Sequence, residues 1–225
     1  MKIEVTADAE EAAHSGARLI AEHIMMAIAS RGHACIAISG GRTPWTMLEK
    51  LAGRELPWAK LHVFQVDERE CSIKSKDRNY KHIKAILPKE CQIHPMPVED
   101  PDKGADHYAH ELVQVLGKDK HLDVVHLGLG ADGHTASLVP GDPVLQVTNR
   151  DVAWTEPYQG HRRMTLTYPI INRARFVFWL VTGSEKSEAL ARLAAGDPAI
   201  PATGIRVKAC EMIADKKAAD TLPED

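Results

Sequence analysis

The chain has little cysteine and no closely spaced pair of it. Its four cysteines, Cys35, Cys71, Cys91 and Cys210, are scattered through 225 residues. That spacing excludes a disulfide framework and a zinc site built on paired thiols. Cys35 and Cys210 lie in apolar, strand-like runs, which suit reduced core residues. Neither sign of charge dominates, and a net charge of -3 gives no electrostatic case for nucleic acid or a membrane surface. No apolar run approaches the roughly 20 residues of a membrane span. The amino terminus, Met1-Lys-Ile-Glu-Val-Thr6, has no apolar signal core before Asp8, Glu10 and Glu11. Internal repeats, low-complexity tracts and interdomain linkers are missing too. The expectation is a single cytoplasmic domain over residues 1–225, ample for a buried sheet.

What is present is an alternation of strand-like and helical patterns, the mark of an α/β fold. It predicts a doubly wound, mainly parallel sheet with helices on both faces. Strands are expected at 2–5, 34–38, 61–66, 122–127, 152–155, 164–167 and 176–181. Helical spacing covers 10–30, ending before Gly32, and 79–87, stopped by Pro88. It recurs at 101–116, ending at Gly117, and at 184–195. The tail, 216–225, is charged and poor in large apolar residues, the composition of a frayed end.

The richest segment is Leu127-Gly-Leu-Gly-Ala-Asp-Gly-His-Thr-Ala-Ser-Leu-Val-Pro140, at the end of a buried-strand pattern. Gly128, Gly130 and Gly133 stand there with Asp132 and His134 in seven residues. Such glycines admit a sharp turn and a close ligand. An Asp and a His two apart can set a titratable base beside it. The spacing also matches a dinucleotide fingerprint, but Pro140-Gly-Asp-Pro143 breaks the chain too soon for a crossover helix. No nucleotide cofactor is expected.

A second loop, Ser39-Gly40-Gly41-Arg42-Thr43-Pro44, links a strand to helical spacing at 45–51. Thr43 suits an N-cap and Pro44 the first helical position. The helix dipole and free N–H groups then face the loop, an anion site. It lacks the Lys-Ser/Thr ending of a P-loop, so ATP is not implied. A third strand ends in Asp67-Glu68-Arg69. Ligands of open parallel sheets sit at the carboxyl ends of strands. Arg69 can grip a phosphate in a fork, with Asp67 or Glu68 orienting it or binding a hydroxyl. Arg163 opens a later strand, and Lys186 follows Thr182-Gly-Ser at the next strand end.

Twelve histidines raise the question of a metal. His107 and His110, three apart on a predicted helix, share a face. No third ligand stands at a recognisable spacing, so they read as a solvated face and no metal is expected.

Ser39-Gly-Gly-Arg-Thr-Pro44, Val66-Asp-Glu-Arg69, Asn79, Gly128-x-Gly-Ala-Asp-Gly-His-Thr-Ala-Ser137 and Arg163-Met-Thr-Leu-Thr167 occur in this order. Together they resemble the motif set of the 6-phosphogluconolactonases. The resemblance implies hydrolysis of 6-phospho-D-glucono-1,5-lactone in the pentose phosphate pathway. It also implies a fold shared with glucosamine-6-phosphate deaminases and ribose-5-phosphate isomerases. Under it, His134 takes a proton from water and returns it to the ring oxygen, with Asp132 fixing its tautomer. Backbone N–H groups of the glycine-rich turn stabilise the oxyanion, and Gly130 and Gly133 are expected among the substrate-binding residues. Arg69, Arg163 and Lys186 bind phosphate, assisted by Ser39, the Gly40 and Gly41 amides and Thr43, with Asp67 beside them. The partner is a sugar-phosphate lactone, and the chain is a monomer or small homo-oligomer.

The chain departs from that pattern in a polar, basic Cys71–Asp77 segment, in Val139 where Phe is frequent, and in Pro201-Ala-Thr-Gly204. Two rivals follow from the same fold. A glucosamine-6-phosphate deaminase typically continues its Asp-Gly-His loop into Phe-Asn-Glu-Pro, and its second acidic strand end reads Asp-Glu-Tyr. A silent sugar-phosphate sensor normally carries a DNA-binding segment, and no helix-turn-helix extension fits here.

Overall fold

The computed structural model describes residues 2–222. In chain order the elements are β1 (Lys2–Thr6), α1 (Ala9–Arg31), β2 (Ala34–Ile38), α2 (Arg42–Ala52) and β3 (Leu61–Gln65). Next come β4 (Asp67–Arg69), α3 (Asn79–Ile86), β5 (Gln92–His94), α4 (Gly104–Leu116) and β6 (Val124–Leu127). The last six are β7 (Val152–Trp154), β8 (Arg163–Leu166), α5 (Tyr168–Asn172), β9 (Val177–Val181), α6 (Ser187–Ala194) and β10 (Cys210–Asp215).

Seven strands form one sheet in the order β1-β10-β9-β6-β2-β3-β5, and every pair in it is parallel. Strands β2, β6 and β9 are buried at every position, as a parallel sheet covered on both sides demands. One face carries α1, α2 and α3, through Ile20, Ile24, Met47, Leu51 and Ile83. The other carries α4, α5 and α6, through Tyr108, Leu112, Ile170 and Leu190. The doubly wound expectation is met.

Local chemistry sets the ends of α1. Asp8 accepts from Glu11 N at 2.9 Å, and Glu11 reaches back to Ala7 N at 2.7 Å, a reciprocal cap. Gly32 closes the helix in the left-handed region, donating to Ile28 O. Between them Ala12, Ala13 and Ala17 let the helix lie close on the sheet.

From β2 the chain winds outward through β3 to β5. It returns to β6 on the other side of β2 and winds away through β9 and β10. The carboxyl ends of β2 and β6 therefore flank a switch point, where a crevice opens in such sheets. A three-stranded antiparallel sheet, β4-β8-β7, stands over that crevice.

Several expectations need correcting. The Asp67–Arg69 segment, expected as the charged end of the third strand, is a separate short strand, β4, with Glu68 fully buried and bonded. Helix α2 starts at Arg42 with Gly41 as N-cap, so Thr43 does not cap it. Residues 101–103 form turns before α4, and 184–186 are a short 3-10 turn before α6. The edge strand β5 and the short α5 were not foreseen. Residues 216–222 are pinned, not frayed: Lys216 N donates to Thr6 O, and Thr221 Oγ1 to Ser187 O. Residues 223–225 of the predicted tail lie outside the described residues. His107 and His110 are exposed; His110 meets Gln114 at 2.9 Å, and His107 lies 3.7 Å from Asp100. Among the described residues, no helix is long and apolar enough to cross a membrane.

Candidate active site

The crevice at the switch point has a volume of about 320 Å³. It is walled by the loop after β2, by Asp67 and Arg69 of β4, by the glycine loop after β6, by Arg163 of β8 and by Thr182, Glu185 and Lys186 after β9.

The glycine loop folds on its own backbone. Gly130 N donates to His134 O, Gly133 N to Gly130 O, and Thr135 Oγ1 to Gly128 O. His134 Nδ1 lies 2.5 Å from Asp132 Oδ1, which also accepts from His134 N at 3.2 Å. A carboxylate on Nδ1 fixes the proton there and leaves Nε2 with its lone pair, the tautomer of a base. Burial works to raise the Asp132 pKa; the bonds and charge of His134 and the Tyr158 hydroxyl outweigh it and hold the carboxyl below its ordinary value. Gly130 must be glycine here: a Cβ would sit 2.0 Å from His134 Nδ1.

The cations come from the small sheet. Arg69 and Arg163 are direct partners across β4 and β8. Like charges so placed repel, and both line the crevice. Arg69 donates to Asn79 Oδ1 and to Asp77 O, each at 2.9 Å. Arg163 is buried, its Nη1 is 3.8 Å from Asp67 Oδ2, and its Nε has no hydrogen-bond partner among the described residues. Burial lowers its pKa, against the pull of Asp67. Asp67 thus serves Arg163 rather than Arg69, and Ser137 Oγ ties it to the glycine loop at 2.6 Å.

Glu68 points away from the crevice wall into the protein. It accepts from Gln65 Nε2, Arg69 N, Asn79 N and Tyr80 N, and pairs with Arg78 Nε at 3.3 Å. It therefore caps α3 from outside the helix and seats Asn79 against Arg69. It does not bind a hydroxyl.

On the opposite wall, the first turn of α2 holds no acid, so its positive end is open to an anion. Ser39 Oγ donates to His126 O at 3.0 Å, which turns this hydroxyl toward β6. Thr43 Oγ1 meets Thr182 Oγ1 at 2.7 Å.

Of the expected site residues, Ser39, Gly40, Gly41, Thr43, Asp67, Arg69, Gly130, His134, Arg163 and Lys186 meet at the crevice. Asp132 does not line it but stands behind His134, bonded to its Nδ1. Gly133 does not line it: with φ at +83°, it packs against Ile200, where a Cβ would meet that side chain at 2.5 Å. The N–H groups of Gly130 and Gly133 are committed inside the loop, so neither is a free oxyanion donor. Arg42, Gln159 and Glu185 also line the crevice and were missed. Arg42 stood inside a quoted motif, whereas Gln159 and Glu185 carry no sequence signal of their own.

A doubly wound α/β domain with a base dyad and facing cations at its switch point defines an enzyme-like site for a small anionic ligand. The chain belongs to the family of glucosamine-6-phosphate isomerases and 6-phosphogluconolactonases, whose model matches residues 7–214. It is 42% identical over 186 residues to a 6-phosphogluconolactonase of Synechocystis, covering 77% of each chain. It is 36% identical over 232 residues to one of Mycobacterium tuberculosis, covering 94% of each. The solved 6-phosphogluconolactonase of Trypanosoma cruzi superposes with a TM-score of 0.89 at 27% identity, covering 99% of this chain and 97% of that one.

Proposed function

We propose that this chain is a 6-phosphogluconolactonase: it hydrolyses 6-phospho-D-glucono-1,5-lactone to 6-phospho-D-gluconate. The reading is supported by the ordered motifs, by the names of the relatives, and by one observation above others. A histidine with Nδ1 tied to a carboxylate shares a crevice with two arginines that face each other across a sheet. A base and an anion cradle are what a phosphorylated ester needs.

In the reaction, neutral His134 takes a proton from a water molecule as its oxygen attacks the lactone carbonyl carbon. The C–O bond to the ring oxygen then breaks, and the imidazolium returns the proton to that oxygen. Asp132 stabilises the imidazolium meanwhile. The phosphate lies between Arg69, Arg163 and Lys186, with the open end of α2 and the Gly40–Gly41 backbone nearby. A lactone carbonyl is electrophilic enough to need neither a covalent nucleophile nor a metal. The same reading takes residues 1–225 as one domain, cytoplasmic, working as a monomer or small homo-oligomer without nucleic acid.

A pH-stat assay with freshly generated lactone tests the proposal, provided that spontaneous opening is subtracted. Acid release well above background is expected, and it should survive dialysis against a strong chelator. Release at the background rate, or ammonia from glucosamine 6-phosphate instead, would defeat it.

A further inference from the structure

A hairpin between β7 and β8 reaches over the base dyad. Tyr158 N donates to His161 O at 2.9 Å, and the two residues between them, Gln159 and Gly160, have φ of +50° and +83°. Positive φ at both central positions is the tight turn that suits a twisted hairpin. At its start, Tyr158 Oη donates to Asp132 Oδ2 at 2.9 Å and accepts from Gln159 Nε2 at 3.1 Å. The Tyr158 ring meets the His134 ring edge-on at 5.4 Å between centroids. The Arg163 guanidinium lies over the same ring, 5.4 Å from its centroid.

We propose that Tyr158 is a positioning residue for the reaction: it holds Asp132 in its working rotamer against His134 and seats Arg163 at the same time. This rests on the reading of His134 as the base. Asp132 is a third exposed at its side chain, so without the phenol its Oδ2 faces water and the carboxylate can turn. With the phenol, Oδ1 goes to the imidazole and Oδ2 to the hydroxyl. Burial, then the bond to Asp132, raises the Tyr158 pKa above its ordinary value, which keeps the hydroxyl protonated and donating at neutral pH. The charged groups around this cluster are Asp132 and His134 from the glycine loop and Arg163 from β8, with Asp67 behind Arg163.

Tyr158→Phe keeps the ring under Arg163 and removes only the hydroxyl. Asp132 is then free to turn toward water, so less of its charge falls on the imidazolium. The acid limb of the kcat/KM profile should then move to lower pH. At neutral pH kcat should drop roughly three- to tenfold, the scale of one ordinary hydrogen bond, with KM near wild type. Tyr158→Ala also removes the surface beneath Arg163 and should add a rise in KM. His134→Ala is run beside them. An NMR titration of the His134 ring, read without substrate, should show its curve displaced to lower pH in Tyr158→Phe. Wild-type kcat with an unmoved acid limb, or a limb moved to higher pH, would overturn the proposal. A His134→Ala variant with full turnover would remove the base assignment instead. In that case the ring titration decides: an unmoved curve ends the Tyr158 proposal, and a displaced one retains its hold on the dyad.

Discussion

Arg69 and Arg163 face each other directly across two antiparallel strands, two guanidinium groups at one crevice, and among the described residues only Arg163 has a carboxylate within ion-pair distance. Like charges opposite each other weaken a strand pair, so the small sheet is held together under repulsion that a bound anion relieves. The product 6-phosphogluconate should therefore stabilise the fold. At a hundredfold excess over its Kd the gain is about 2.7 kcal/mol, or a rise in Tm of roughly 5–10 °C for a domain of this size. Thermal scans should show that rise in the wild type and little of it in Arg163→Ala. Unphosphorylated gluconate should leave Tm unmoved, and an equal shift from it would disprove an anion cradle.

The main sheet was legible because its central strands are apolar on both faces, and its loops because glycine and proline punctuate them. The glycine loop even exposed its dyad, since Asp132 and His134 are two residues apart. The small sheet was not legible. Asp67-Glu68-Arg69 has the composition of a solvated turn, and Glu68 is buried only because Asn79, Tyr80 and Arg78 come back to it from the next helix. Nothing within three residues of Glu68 announces that return. Tyr158 was hidden for the same reason, as its partner Asp132 lies 26 positions away. Gly133 misled in the opposite direction: it looked like a ligand-facing glycine, and its lack of a Cβ serves Ile200.

The base assignment makes a sharp kinetic claim. His134→Ala should lower kcat by roughly 10²–10⁴, the usual weight of one general acid–base group. The phosphate cradle is left in place, so product binding by titration calorimetry should stay near wild type. Near-normal kcat in a background-corrected assay would take His134 out of the chemistry.

Lys186 lines the crevice without an ion pair among the described residues, so its charge is available to substrate. Lys186→Ala should act on capture. A charge-assisted contact is worth about 1.5–3 kcal/mol, or roughly 10–150 fold in kcat/KM. The unphosphorylated lactone should be a poor substrate for the wild type and nearly indifferent to the change. If both lactones lose equally, Lys186 serves the carbonyl and not the phosphate.

His126 makes the fold itself sensitive to acid. It is fully buried in β6, accepts from Ser39 N at 3.3 Å through Nδ1, and has no partner for Nε2 among the described residues. Burial pushes its pKa down from 6.5 to about 3. Between those values the unfolded chain holds a proton that the folded chain refuses. Stability from this group is therefore complete above about pH 6.5 and is lost as pH falls toward 3, by up to about 1.4 kcal/mol per pH unit. Carboxylates titrate in the same range, so the test is a comparison. His126→Asn retains a side-chain acceptor but cannot titrate, and urea unfolding from pH 7 to 4 should show a shallower decline for it than for the wild type. At pH 7.5 the variant should be the less stable of the two, because a smaller side chain leaves a gap beside Phe178. Parallel curves over the whole range would mean that His126 is not the group that makes the fold acid-sensitive.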